Sequence, residues 1–237
     1  MPAFAAALLV PGPAEGQVRL ANETGGNFTV AVMSWWEIPF RTVIRQQYDF
    51  SCGSAAVATL LTYSYGVPTP ERIAFKKMWD KGDKPVIRKV GFSMFDMKSY
   101  LDGIGYRAEG FRMPIGRLMA LKRPAIVLLN LNGYKHFVVV KGARGDRVLL
   151  GDPALGLTQY SRKDFEKVWN GIALTIVDTP RNGEARYNLA SDWGPWATAP
   201  LEQNGMHVSV AELTTNLPPS YQLTPQMLLD VRIGTGP

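Results

Sequence analysis

The chain has 237 residues, 46% of them hydrophobic and 19% charged, which suits a folded protein with a sizeable core and excludes a disordered one. Its net charge is +6, and its densest basic stretch (Lys76, Lys77, Lys81, Lys84, Arg88 and Lys89, around Trp79) reads as a solvated helix face running into a basic loop, not as a nucleic-acid groove. A single cysteine excludes an intrachain disulfide and any structural zinc site of paired cysteines, and Asp80-Lys81-Gly82-Asp83 lacks the alternating oxygen ligands of a calcium loop.

The first ten residues, Met1 to Val10, form an apolar run too short to span a bilayer. With the small residues Ala14 and Gly16 behind it, the run predicts a signal peptide over 1–16, truncated because the basic residues that open such signals are missing. A periplasmic or secreted location is the expectation, with the cytoplasm as the alternative. No other segment is long and apolar enough for an integral membrane helix. Residues 17–39 alternate apolar and polar around Phe28-Thr29-Val30-Ala31-Val32 and predict a lead-in strand.

Residues 52–65 carry Ala55, Ala56, Ala58, Leu60 and Leu61 without a breaker before Gly66, which predicts a buried helix. Thr69-Pro70-Glu71 predicts a second helix to Asp80, with a capping hydroxyl ahead of proline at the first helical position. Ser93, with Asp96 three residues on, predicts a capped third helix that Gly105 stops. Strand-length runs follow at Pro124–Leu131, Phe137–Val140 and Val148–Leu150. A short helix from Ser161 and a last strand over Ile172–Val177 complete the pattern. Helices first and an antiparallel meander afterwards make an α+β domain over 40–179. The remainder, 180–237, is rich in proline with isolated aromatics such as Trp193, Trp196 and Tyr221, and reads as an extension packed on the domain or on a protein partner.

The residues able to carry chemistry are few. Cys52 stands where a helix begins, so the helix dipole and unpaired N–H groups there favour its thiolate, and Gly53 beside it would let a substrate backbone approach. A lone buried thiol is equally at home as inert packing. His136 precedes a strand of solid valine at the rim of a sheet, facing a cleft. Asp152 closes the next strand sixteen residues later, so an antiparallel hairpin brings the two to one edge. The carboxylate could hold the imidazole's tautomer, although Asp152-Pro153 also reads as a plain turn. Acyl transfer needs donors for an oxyanion: the Cys52 N–H is one, and the side-chain amide of Gln46 or of Gln47 a second. His207 has no carboxylate partner nearby in sequence and is read as non-catalytic. Trp35-Trp36 reads as packing for the lead-in strand.

Gln46 with Cys52-Gly53 six residues on, an alanine- and leucine-rich helix, His136 before a valine strand and Asp152-Pro153 beyond it together resemble the C39 family of cysteine peptidases, over about 40–178. The resemblance implies a papain-like fold with the helical half packed on an antiparallel sheet. It also implies Cys52 as nucleophile, His136 as general base, Asp152 as its orienter and Gln46 as oxyanion donor, with no cofactor. The implied reaction is hydrolysis of a peptide bond in a peptide or protein substrate, in the family's best-known members after a double-glycine motif. Ser51 stands where exporter-fused members often carry an acidic residue, and no phosphate-binding loop is present, so the chain looks like a stand-alone member. Gly25-Gly26 reads as a turn and not as a self-cleavage site, because Glu23 fits a leader poorly. An acyl or peptidyl transferase on the same fold and a non-catalytic peptide-binding or assembly module stay open as alternatives.

Overall fold

The computed structural model describes residues 16–21, 27–32, 37–180 and 184–194. The predicted single lead-in strand is a hairpin: β1 (Gly16–Ala21) pairs antiparallel with β2 (Asn27–Val32), from Gly16↔Val32 to Ala21↔Asn27. Two alternating runs flank Asn22-Glu23-Thr24-Gly25-Gly26, and each is the other's nearest partner. That link lies outside the described residues, as do residues 1–15 of the signal peptide expected over 1–16, Trp35-Trp36, Trp196, His207 and Tyr221; Gly16 opens β1.

Helix α1 (Cys52–Thr59) has every residue buried and continues through a π-turn, Leu60–Ser64. Its alanines let it lie against neighbours on all sides, so it needs no polar face. Helix α2 (Glu71–Lys81) follows, but Thr69 is not its cap. The Thr69 hydroxyl donates to the Val67 carbonyl at 2.9 Å and its N–H to the Thr62 hydroxyl at 2.9 Å, which leaves Pro70 as the residue before the first turn. The expected basic loop is a helix, α3 (Lys84–Val90), whose first turn holds Pro85 and whose N–H at Val86 is capped by Asp83. Helix α4 (Met94–Gly103) has the reciprocal cap expected of Ser93 and Asp96. Gly105, at φ +86°, turns the chain out of it.

Strand β3 (Arg107–Arg112) and helix α5 (Ile115–Ala120) lead into a meander of β4 (Ala125–Leu131), β5 (Tyr134–Arg144), β6 (Arg147–Asp152) and β7 (Gly156–Ser161). Helix α6 (Arg162–Val168) then returns the chain to β8 (Trp169–Asp178), giving a six-stranded antiparallel sheet in the order β3-β8-β4-β5-β6-β7. Ile126, Phe137, Val139, Leu174 and Ile176 pack under α1, α2 and α4, while Val127, Leu129, Val138, Val140 and Leu150 meet Ile115 and Leu118 of α5 and Phe165 of α6. Burial on both faces explains why β4 and β5 read as unbroken apolar runs and not as alternations.

A third, smaller core joins Val43, Leu149 and Leu157 to Phe40 and Trp193. Residues 37–43 and 184–194 therefore cover the β6–β7 end of the sheet. The described part of the C-terminal extension packs on the domain itself.

Candidate active site

Cys52 is the first residue of α1, 5% exposed, and its thiol is free. Ser51 occupies the capping position but caps nothing. Its hydroxyl turns back into the 48–51 turn, donating to the Tyr48 carbonyl at 3.0 Å and accepting the Tyr48 N–H at 3.1 Å. The first turn of α1 thus carries no side-chain cap, and its N–H groups remain directed at whatever anion forms by the sulfur.

Gly53 serves packing, contrary to the expectation that it makes room for substrate. A Cβ at this position would lie 3.1 Å from Phe92 Cβ and 3.6 Å from Met97 Sδ. Ser54 ties α1 to the start of α2, its hydroxyl 3.2 Å from Glu71 Oε1.

His136 and Asp152 meet as the hairpin predicts. The β5–β6 ladder pairs Val139 with Gly151. One step further sets Val138 across from Asp152 and makes His136 its diagonal neighbour on the same face. Imidazole Nε2 lies 2.7 Å from Asp152 Oδ1, and both side chains are 3% exposed. The ring is thus buried and not open to a cleft as expected.

The same Oδ1 accepts the N–H of Ala154 at 2.7 Å and of Leu155 at 3.2 Å. The turn expected at Asp152-Pro153 is therefore present, and the oxygen that makes it is the one that meets the imidazole.

With Nε2 engaged, Nδ1 is the ring nitrogen left over, and it has no hydrogen-bond partner. Burial is the strongest single influence on the imidazole and pulls its pKa down. The hydrogen bonds and charges of Asp152 and then Cys52 outweigh it, and the pKa is pushed up from 6.5 to about 9. A buried ring that keeps its proton can serve as acid and base for a neighbouring nucleophile.

Gln46 is half-buried and Gln47 exposed. The Gln46 backbone N–H donates to the Pro153 carbonyl at 3.0 Å, which ties the segment ahead of Cys52 to the turn after Asp152. Its side-chain Nε2 donates to the Tyr48 carbonyl at 3.1 Å, leaving the second amide proton unspent.

Tyr134, which the sequence reads only as part of a turn before His136, opens β5. Its ring stacks on His136 (centroids 5.8 Å apart, planes at 24°), and its hydroxyl donates to the Asp49 carbonyl at 3.3 Å. It bridges β5 to the loop that leads into α1. The available signal was its place two residues before His136, on the same face of one strand.

A thiol at an uncapped helix start beside an imidazole that a carboxylate holds, on helices packed against an antiparallel sheet, defines a papain-like cysteine peptidase. The chain belongs to the Peptidase C39 family, whose profile matches residues 41–181. It is 44% identical over 153 residues to the Probable functional amyloid protease FapD of Pseudomonas aeruginosa, covering 65% of this chain and 68% of that protein. To the protein of the same name from Pseudomonas fluorescens it is 41% identical over 172 residues, covering 72% and 76%. Among solved structures, the peptidase domain of Streptococcus ComA, a bifunctional ABC transporter, superposes on 56% of this chain and 96% of its own, at 22% identity and a TM-score of 0.49.

Proposed function

We propose that this peptidase works through Cys52 as nucleophile, His136 as general acid and base, Asp152 as orienter, and Gln46 with the Cys52 N–H as oxyanion donors, all within a catalytic unit over 40–179. The observation that carries this reading is His136: Nε2 is held at 2.7 Å by Asp152, and Cys52 is the group remaining for Nδ1. The thiolate attacks the scissile carbonyl carbon, and the developing oxyanion accepts hydrogen bonds from the spare Gln46 amide N–H and the helix-start N–H. As the C–N bond breaks, the imidazolium gives its proton to the leaving amine. Water then loses a proton to the imidazole and attacks the thioester. The C–S bond breaks, and the thiolate and imidazolium return.

The substrate proposed is a protein component of a functional amyloid, cut after a double-glycine motif, in a periplasmic or secreted setting. The first part rests on the name shared by the two Pseudomonas relatives. The test is mass spectrometry of such components after incubation with the protein. New N-termini that follow Gly-Gly and vanish with Cys52→Ala support the reading. Cleavage that persists in Cys52→Ala refutes it.

A further inference from the structure

Lys141 sits in an irregularity of the sheet. Between Val140↔Leu150 and Gly142↔Leu149 the β5–β6 register slips by one, so Lys141 is the extra residue of a β-bulge five positions beyond His136. Its carbonyl is taken from outside the sheet by the Asn188 N–H at 2.7 Å. Its ammonium, 5% exposed, is 3.0 Å from Oδ2 of Asp192, which is 1% exposed.

Neither group takes part in the chemistry described above. Asp192 lies beyond the stretch the family profile covers, and Lys141, within that stretch, faces it. Burial pulls the Lys141 ammonium down, and Asp192 works against that pull.

The pair reaches a third partner. Asp192 Oδ1 accepts the Thr42 hydroxyl at 2.9 Å, and Lys141 Nζ donates to the Thr42 carbonyl at 2.8 Å. Arg41 donates to the Ser191 carbonyl, and Trp193 packs on the core that holds Val43. From Thr42 the chain runs directly to Gln46, with Ile44 N–H on the Thr59 hydroxyl at 2.9 Å and Gln46 N–H on Pro153. Gly151, next to Asp152, is hemmed in by the same groups: a Cβ there would lie 3.0 Å from Lys141 Cδ and 3.2 Å from Val43 Cγ2.

We infer that residues 184–194 form a positioning strap in which Asp192, through Lys141 and Thr42, holds segment 42–46 so that Gln46 sits correctly for the oxyanion. This rests on the role proposed for Gln46. The strap touches no reacting atom. A misplacement of about 1 Å suffices to cost up to two orders of magnitude in rate, so a remote tether can act this strongly.

The test uses the full chain and two probes. p-Nitrophenyl acetate acylates the thiolate through an oxyanion, whereas iodoacetamide alkylates it without one. Gln46→Ala is expected to slow acylation about 100- to 1,000-fold and to leave alkylation at pH 6 within about twofold. Asp192→Asn is expected to slow acylation at least about tenfold with the same unchanged alkylation, and to add less than about twofold in the Gln46→Ala background.

Gly142→Ala is the second variant, in case Asp192→Asn fails to fold. Its Cβ would lie 2.7 Å from Asn188 Oδ1 and 3.3 Å from Trp193, lifting the strap without removing a charge. Equal acylation in wild type and both strap variants overturns the proposal. So does a loss that multiplies independently in the Gln46→Ala background, or one that alkylation shares. If Gln46→Ala itself leaves acylation unchanged, the oxyanion role and the strap fall together. If Gln46→Ala is slow and the strap variants are not, the strap alone falls.

Discussion

Asp152→Asn separates charge from shape at the heart of the site. An asparagine oxygen can still accept the N–H groups of Ala154 and Leu155, so the turn after β6 survives. What disappears is the negative charge 2.7 Å from His136 Nε2. In the folded wild type the imidazole is lifted from 6.5 to about 9 against burial, and Asp152 is the larger of its two supports.

Without Asp152 the ring loses the larger of its two supports and its pKa falls. A neutral ring no longer assists the thiol, so alkylation of Cys52 by iodoacetamide at pH 6 is expected to fall by more than about tenfold.

Stability carries the same signature. The rise from 6.5 to about 9 corresponds to roughly 3 kcal/mol of preference for the protonated ring in the folded state. Because the folded-state pKa lies above the unfolded one, that stabilisation is complete below about pH 6.5 and is lost as pH climbs through about 9. Urea unfolding from pH 6 to 9.5 should show wild type and Asp152→Asn furthest apart at pH 6 and converging at the alkaline end. A gap that stays constant over this range, or alkylation at pH 6 within threefold of wild type, would refute the coupling between Asp152 and the ring proton.

Three further outcomes follow from the same coordinates. Alkylation of Cys52 by iodoacetamide at pH 6 should be faster in wild type than in His136→Ala by about tenfold or more; identical slow rates in both count against a thiol activated by His136. Gly156→Ala should destabilise by about 2–4 kcal/mol, lowering the urea midpoint with an unchanged slope, because Gly156 has φ +84° and its Cβ would lie 2.6 Å from the Pro39 carbonyl. Ser93→Ala should cost about 1 kcal/mol in thermal unfolding through loss of the α4 cap, and Cys52 alkylation should not change.

Most of the site was legible in the sequence because its parts obey short-range rules. Cys52 opens α1 because an alanine-rich run begins there. His136 and Asp152 meet because a hairpin returns the chain to its starting edge, and side chains two apart on a strand share a face. Gln46 and Gln47 could not be told apart from spacing, and it took the bond from Gln46 N–H to Pro153 and the exposure of Gln47 to distinguish their surroundings.

The edge strand β3 reads Arg-Ala-Glu-Gly-Phe-Arg, with one fully buried residue, and only pairing with β8 makes it a strand. Helix α3 was masked by its lysines until Asp83 supplied a cap. Thr69 would cap α2 by local rules, but the Thr62 hydroxyl and the Val67 carbonyl claim it first.

The sequence by itself determined the α+β class and placed Cys52, His136 and Asp152 at element ends, because caps, periodicity and strand ends act over a few residues; the family and Gln46 came from the resemblance of the motifs. The tertiary structure alone decided what surrounds them. It set Tyr134 over His136, put Phe92 and not substrate against Gly53, and buried the Lys141–Asp192 pair behind β5. Such partners are tens of residues apart in the chain, and only the assembled sheet brings them within hydrogen-bonding reach.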